Sequence, residues 1–161
     1  MEFKIATSEE ILAKLPDWDR QIKALDQSRL TDQQLDQVLD AEWMIMEIPN
    51  QPCEKLRGVI LDGNVESVAS ISIDNDAIYL EFIVTSPKNL NLLDNPERID
   101  GASSELIIQI VRESIRLGFE GRIYANCLES SQGFYDKLGF TGRGKIKLTS
   151  KSAKELLKKR G

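Results

Sequence analysis

The chain has 161 residues with 21 Lys and Arg against 26 Asp and Glu, so its net charge is −5, and 41% of it is apolar. That balance belongs to one soluble globular domain, and the acidic total argues against a nucleic-acid-binding surface. The absence of histidine excludes Ser-His-Asp and Cys-His nucleophile systems and every His-ligated metal site. Cys53 and Cys127 have no C-x-x-C spacing, so a disulfide framework and a zinc site are both excluded, and a reducing cytoplasm is the expected compartment. No signal peptide opens the chain, and no apolar run approaches the ~18 residues that span a bilayer. The expected domain is therefore residues 1–161, with residues 1–50 as its helical N-terminal part.

Thr7-x-x-Glu10 is a capping box for a helix carrying Ile11, Leu12 and Leu15, which Pro16 is expected to stop. A second piece with Trp18, Ile22 and Leu25 on one face should follow Asp17. Thr31-x-x-Gln34 opens another helix, with Leu35, Val38, Leu39 and Met46 at helical spacing. Residues 1–47 hold 11 acidic and 5 basic side chains. This acidic third reads as a solvated face or, with less weight, as an attractor for a cationic partner.

From residue 59 the period changes to that of strands. Val59–Leu61, Val65–Ile73 and Ala77–Thr85, punctuated by Asp62-Gly63-Asn64 and Asp74-Asn75-Asp76, predict an antiparallel meander. A polar loop follows Pro87. Gly101 opens a helix with Leu106, Ile107, Ile110, Val111 and Ile115 as its buried stripe, closed at Leu117-Gly118. Arg122–Cys127 reads as a strand, Ser130–Leu138 as a short helix ended by Gly139, and Lys145–Leu148 as a last strand. Ser152-x-x-Glu155 suggests a capping box in the basic tail, where residues 143–161 carry 8 cations. The fold class is thus α/β: a mixed sheet, antiparallel first and parallel later, with helices on both faces.

Three places carry chemical potential. Arg98-Ile99-Asp100-Gly101-Ala102-Ser103 puts small residues and unpaired amides at a helix N-terminus, where the dipole favours an anion, and Asp100 can instead cap that helix. Tyr135 follows Phe134 in a short helix and is either a packing aromatic or a general acid. Glu81 sits mid-strand in YLEFIV, where a carboxylate must face solvent, a cleft or a partner. Strict alternation puts Leu80, Phe82 and Val84 on one face and Tyr79, Glu81 and Ile83 on the other.

The order of an apolar strand ending Val84-Thr85-Ser86-Pro87, Arg-x-x-Gly-Ala-Ser opening an amphipathic helix, the strand RIYANC and then FYDKLGF resembles the GNAT superfamily of acyl-CoA-dependent N-acetyltransferases over about residues 58–148. Ser103 departs from the small residue usual at its position, and the loop after Pro87 is several residues longer than the usual pattern. The resemblance implies acetyl-CoA or another acyl-CoA as co-substrate. Its pantetheine arm would pair with the backbone of Phe82, Ile83, Val84 and Thr85, and its pyrophosphate would rest on Arg98 to Ser103. The Val84 amide is the implied oxyanion donor, Tyr135 the acid towards the departing thiolate, and Glu81 the base, with Asp40 or Glu42 as unranked substitutes. The implied partner is an amine-bearing small molecule, peptide or protein, with no membrane or nucleic acid, and a homodimer stays open. A catalytically degenerate acyl-CoA-binding or interaction module is the competing reading.

Overall fold

The computed structural model describes residues 2–90 and 97–160. The middle of the polar loop, 91–96, lies outside the described residues, as do both terminal residues. Strands β1 (Lys4–Ile5), β2 (Leu56–Leu61), β3 (Asn64–Ile73), β4 (Ile78–Thr85), β5 (Ile123–Asn126), β6 (Thr141–Arg143) and β7 (Lys145–Leu148) form one sheet in the order β1-β2-β3-β4-β5-β7-β6. All neighbours pair antiparallel except β4 and β5, which run parallel through the helical crossover between them. The parallel part of the sheet is this one pair. The short β6 turns back as a hairpin, so β7 meets β5 antiparallel.

Helices α1 (Ser8–Lys23) and α2 (Asp32–Glu47) cover one face, and Ile11, Trp18, Ile22, Val38 and Ile45 pack there with Ile60, Val68 and Val84. Helix α3 (Ala102–Arg116), α4 (Gln132–Leu138) and α5 (Ser150–Arg160) cover the other, around Leu106, Ile110, Val111, Leu138 and Leu156. Both N-terminal capping boxes form, each with its side chain accepting from the N3 amide. The expected break at Pro16 does not occur: α1 runs through it as one helix. Proline removes one backbone bond, but burial of Ile11, Trp18 and Ile22 on a single stripe holds the helix together across it. The α5 cap also differs from expectation, since Thr149 Oγ1, one turn earlier, accepts from the Ser152 amide at 3.2 Å. Asp62 and Gly63 both take positive φ, 50° and 81°, as a two-residue type I′ hairpin requires.

The register of β3 on β4 slips at Glu81. Ser70 opposes Phe82 while Ile71 opposes Leu80, which leaves Glu81 as the extra residue of a bulge. The bulge changes the parity of the strand. Ile78 and Leu80 face the α3 core together with Ile83, whereas Phe82 and Val84 face α1 and α2. The strict alternation expected from the sequence, with Leu80, Phe82 and Val84 on one face, therefore fails at its middle.

Candidate active site

β4 and β5 pair only at Ile78–Ile123, Tyr79–Tyr124 and Leu80–Ala125. Beyond Leu80 the two strands part, and β4 continues to Thr85 with one edge free of β5. The direction of that edge follows from one hydrogen bond. The Ser86 amide donates to Glu66 O in β3 at 2.9 Å. Since backbone groups alternate along a strand, the amides of Val84 and Phe82 also face β3, and those of Ile83 and Thr85 face the split. The expectation of a Val84 amide in the cleft is therefore not met: Ile83, not Val84, offers its amide to the cleft. The Val84 carbonyl is itself occupied, accepting from Ser67 Oγ at 3.1 Å.

The split opens into two adjoining cavities of about 330 and 410 Å³, which share Asp40, Met44, Ile83, Ser131 and Tyr135 in their walls. The first runs from Ile83 past Thr85 and Asn89 to Ser103 at the start of α3. The second lies beside Glu81, Trp43, Asn126 and Cys127. Tyr135 stands between them. It is 4% exposed and held edge-on between Phe134 and Phe140, with ring centroids 5.1 and 5.2 Å away. Burial, and secondarily the charge of a Cys127 thiolate, raise its phenol pKa well above the ordinary tyrosine value, so the group stays protonated across the physiological range.

Glu81 lines the second cavity but is not free. Lys55 Nζ pairs with its carboxylate and Ser72 Oγ donates to it. Partial burial pushes this carboxyl's pKa up, but the hydrogen bonds from Lys55 and Ser72 and the lysine charge outweigh it, leaving it below the ordinary glutamate value. Asp40 and Glu42, two residues apart on α2, point to different places. Asp40 borders both cavities and accepts from Ser130 Oγ at 3.1 Å, a bridge from α2 to the segment before α4. Glu42 borders a separate hollow with Asp19 and Lys23. The carboxylate that the sequence left unranked is thereby ranked: Asp40 faces the site.

At the other end, Gly101 is the N-cap of α3 with φ 87°, and Glu105 N–H is the first to bond back to it, at 2.9 Å. The amides of Ala102, Ser103 and Ser104 precede that first bond and carry the positive end of the helix dipole. Ala102 is small for an internal reason, since its methyl is buried in the α3 core. Ser103 turns towards the sheet. Ser67 spends its proton on Val84 O, so Ser103 is the donor in the 2.8 Å contact between the two hydroxyls. Asp100 does not cap α3: it accepts from Arg98 Nε at 2.9 Å, which places a carboxylate against the cation of this loop. The same loop is anchored by Asn89, whose Oδ1 accepts from the Ile99 amide at 2.7 Å. Sequence reasoning missed Asn89. Its side chain is buried in the wall of the first cavity, and among the described residues its Nδ2 has no hydrogen-bond partner.

In overall fold this mixed sheet with helices on both faces is similar to a set of solved acetyltransferases. The PaiA N-acetyltransferase from Thermoplasma acidophilum, in a structure holding coenzyme A, matches 92% of this chain and 99% of its own at a TM-score of 0.53 and 13% identity. The chain has the GNAT fold. The ribosomal-protein-S18-alanine N-acetyltransferase from Escherichia coli matches 91% of this chain and 93% of its own at a TM-score of 0.57 and 15% identity. A GNAT-family acetyltransferase from Streptococcus pneumoniae matches 91% and 98% respectively, at a TM-score of 0.54 and 17% identity. No family model and no curated protein matches the sequence. Among the described residues of this GNAT fold, no helix is long and apolar enough to cross a membrane, and no cluster of three His, Cys, Asp or Glu side chains could hold a metal ion.

Proposed function

We propose that the protein is an N-acyltransferase that moves an acetyl or longer acyl group from acyl-CoA directly to a primary amine in a ternary complex. The observation that carries this reading is the split beyond Leu80, with the Ile83 amide and the Tyr135 phenol on its walls and the α3 N-terminus at its mouth. In it the pantetheine arm lies along residues 82–85 as an added strand edge. The pyrophosphate meets the amides after Gly101, with Arg98 and Ile99 in the adjoining loop. The Nδ2 of Asn89 in the same wall, buried and without a partner among the described residues, fits such a ligand, because a buried donor left without a partner costs about 1–3 kcal/mol until an acceptor arrives.

In the reaction the amine nitrogen bonds to the thioester carbon and the C–S bond breaks. The Ile83 amide donates to the carbonyl oxygen as it gains charge. Tyr135 gives its proton to the departing sulfur. The proton lost by the amine passes, through a water, to Glu81, which its low pKa keeps ionised and able to accept. Asp40 is the second choice for that proton, favoured by its place on both cavities. Holding both reactants in line supplies much of the acceleration. The competing reading, binding without turnover, draws on two pinned charges: Glu81 on Lys55 and Arg98 on Asp100.

Tyr135→Phe separates the two readings. With acetyl-CoA and an amine panel, thiol release should fall by roughly 10²–10⁴-fold while CoA affinity by calorimetry stays within about twofold. Acetyl-CoA binding by the wild type with no thiol released to any amine rejects the transferase reading.

A further inference from the structure

Among the described residues, none packs over the face of β5, β7 and β6 on the α1/α2 side as part of a core: no residue of these strands belongs to the core that α1 and α2 form with the sheet. Ile123, Ala125, Ile146 and Leu148 point to the α3 core, so Tyr124, Asn126, Lys145 and Lys147 point the other way. The registers place them in two rows. Tyr79 stands opposite Tyr124, which stands opposite Lys147. Asn126 stands opposite Lys145, which stands opposite Arg143. Together these side chains, Arg143 excepted, border an open hollow of about 520 Å³. Among the described residues none of the three cations has an acidic partner. Tyr79 and Asn126 are hydrogen-bonded to each other, which stiffens the floor.

This hollow adjoins the second cavity of the cleft, the one beside Glu81, because Asn126 borders both. The two ends differ in charge. Asp40 walls the cleft with no cation paired to it among the described residues, Glu81 there being offset by Lys55, and Lys145, Lys147 and Arg143 stand beyond Asn126. A molecule lying across both must be cationic or amine-bearing at one end and anionic along the next stretch. The acids of the site also limit which amine suits it. Glu81 is already occupied by Lys55 and Ser72, so an amine with a substantial neutral fraction near pH 7, which asks least of a base, is favoured. A peptide α-amine, with a pKa of about 7.7–8.0, meets that condition, and a lysine side chain near 10.4 does not.

Resting on the acyltransferase reading, we infer that the acceptor is the N-terminal amine of a peptide or protein whose following residues are acidic and lie on the Tyr79–Tyr124–Lys145–Lys147 face. A nucleic-acid strand fits less well. Asp36, Asp40 and Glu47 on α2 and a net charge of −5 would repel a phosphate chain longer than this small face.

The test is binding first and transfer second. Fluorescence anisotropy is measured on the CoA-saturated protein with two C-terminally labelled peptides, an N-terminal glycine followed by three glutamates or by three lysines. The acidic peptide should bind at least about tenfold tighter, and Lys145→Glu with Lys147→Glu should reverse the order with an unaltered melting curve. Equal affinities, or a preference that survives the charge reversal, overturn the inference. So does an octathymidylate that binds more tightly than the acidic peptide and loses affinity in the same variant. Thiol release with acetyl-CoA is then followed for both peptides. Charge-selective binding with no release keeps the peptide face and rejects the transferase reading. Equal turnover of both peptides keeps the transferase and rejects the acidic acceptor.

Discussion

The two ends of β4 have the same composition bias and opposite uses. Ile78 to Leu80 is paired on both edges, by β3 and by β5, and the side chains of Ile78 and Leu80 are at most 1% exposed. Glu81 to Thr85 is paired only by β3, opens with a bulge, and lines both cavities. The first end is paired by strands on both edges and spends the side chains of Ile78 and Leu80 on the core, with Tyr79 left to the open face. The second leaves alternate amides unspent, which is what a ligand edge requires. One residue, Glu81, marks the change. An apolar residue there would pack, whereas a bulged carboxylate held by Lys55 keeps the strand from closing onto the core.

If the closed end serves stability alone, the largest effect there is thermodynamic. Leu80→Ala should cost about 3 kcal/mol in urea unfolding, because a fully buried leucine is lost from a tight core, and CoA affinity of the folded fraction should hold. A loss of CoA affinity without a loss of stability would erase the distinction between the two ends.

A smaller effect is expected at the mouth of the open end. Gly101 has φ 87°, and none of the described residues lies within 4 Å of where a side chain would begin. Gly101→Val therefore costs about 1–2 kcal/mol through backbone strain rather than through a clash. The added group projects where the pyrophosphate is proposed to rest, so CoA affinity should fall in calorimetry by more than the stability loss accounts for. Unchanged affinity moves the anion site off this loop.

The smallest effect is a pH dependence. A carboxyl with a lowered folded pKa adds stability that is present above its unfolded pKa of about 4.3 and lost as pH falls through the lower folded value. Glu81→Gln removes that contribution, so wild type and variant should differ in melting temperature at pH 7 and converge in acid. If Glu81 also takes the amine proton, the variant's turnover should fall most at low pH and recover as more amine is neutral. Parallel pH–rate profiles leave Glu81 a structural role with Lys55 and pass the proton to Asp40.

Several features were legible because they are local. Thr7 with Glu10 and Thr31 with Gln34 cap their helices within one turn, and the Asp62-Gly63 turn needs only the residues that form it. The apolar stripe of α3 repeats at 3.6 residues and is buried at Leu106, Ile107, Ile110 and Val111, whereas Ile115, expected in the same stripe, is exposed in the last turn. Tyr135 and Glu81 were visible as polar groups in apolar company, and the fold of the chain followed from the order of such elements. Pairings made across the fold were not legible. Glu81 is neutralised by Lys55, Asp40 is tied to Ser130, and Ser103 donates to Ser67, each over a long sequence separation. Nor could periodicity reveal that one bulge turns Phe82 and Val84 away from Leu80, and with them the amide that faces the cleft. A period counts residues, and a bulge adds one that only the partner strand can reveal. By itself, then, the sequence determined what short-range geometry dictates: caps, turns, stripes and the kinds of side chain available for chemistry. Which of them meet was decided by the tertiary structure, because a carboxylate's charge state, a strand's free edge and a helix that survives its proline all depend on neighbours that the chain brings together only when it folds.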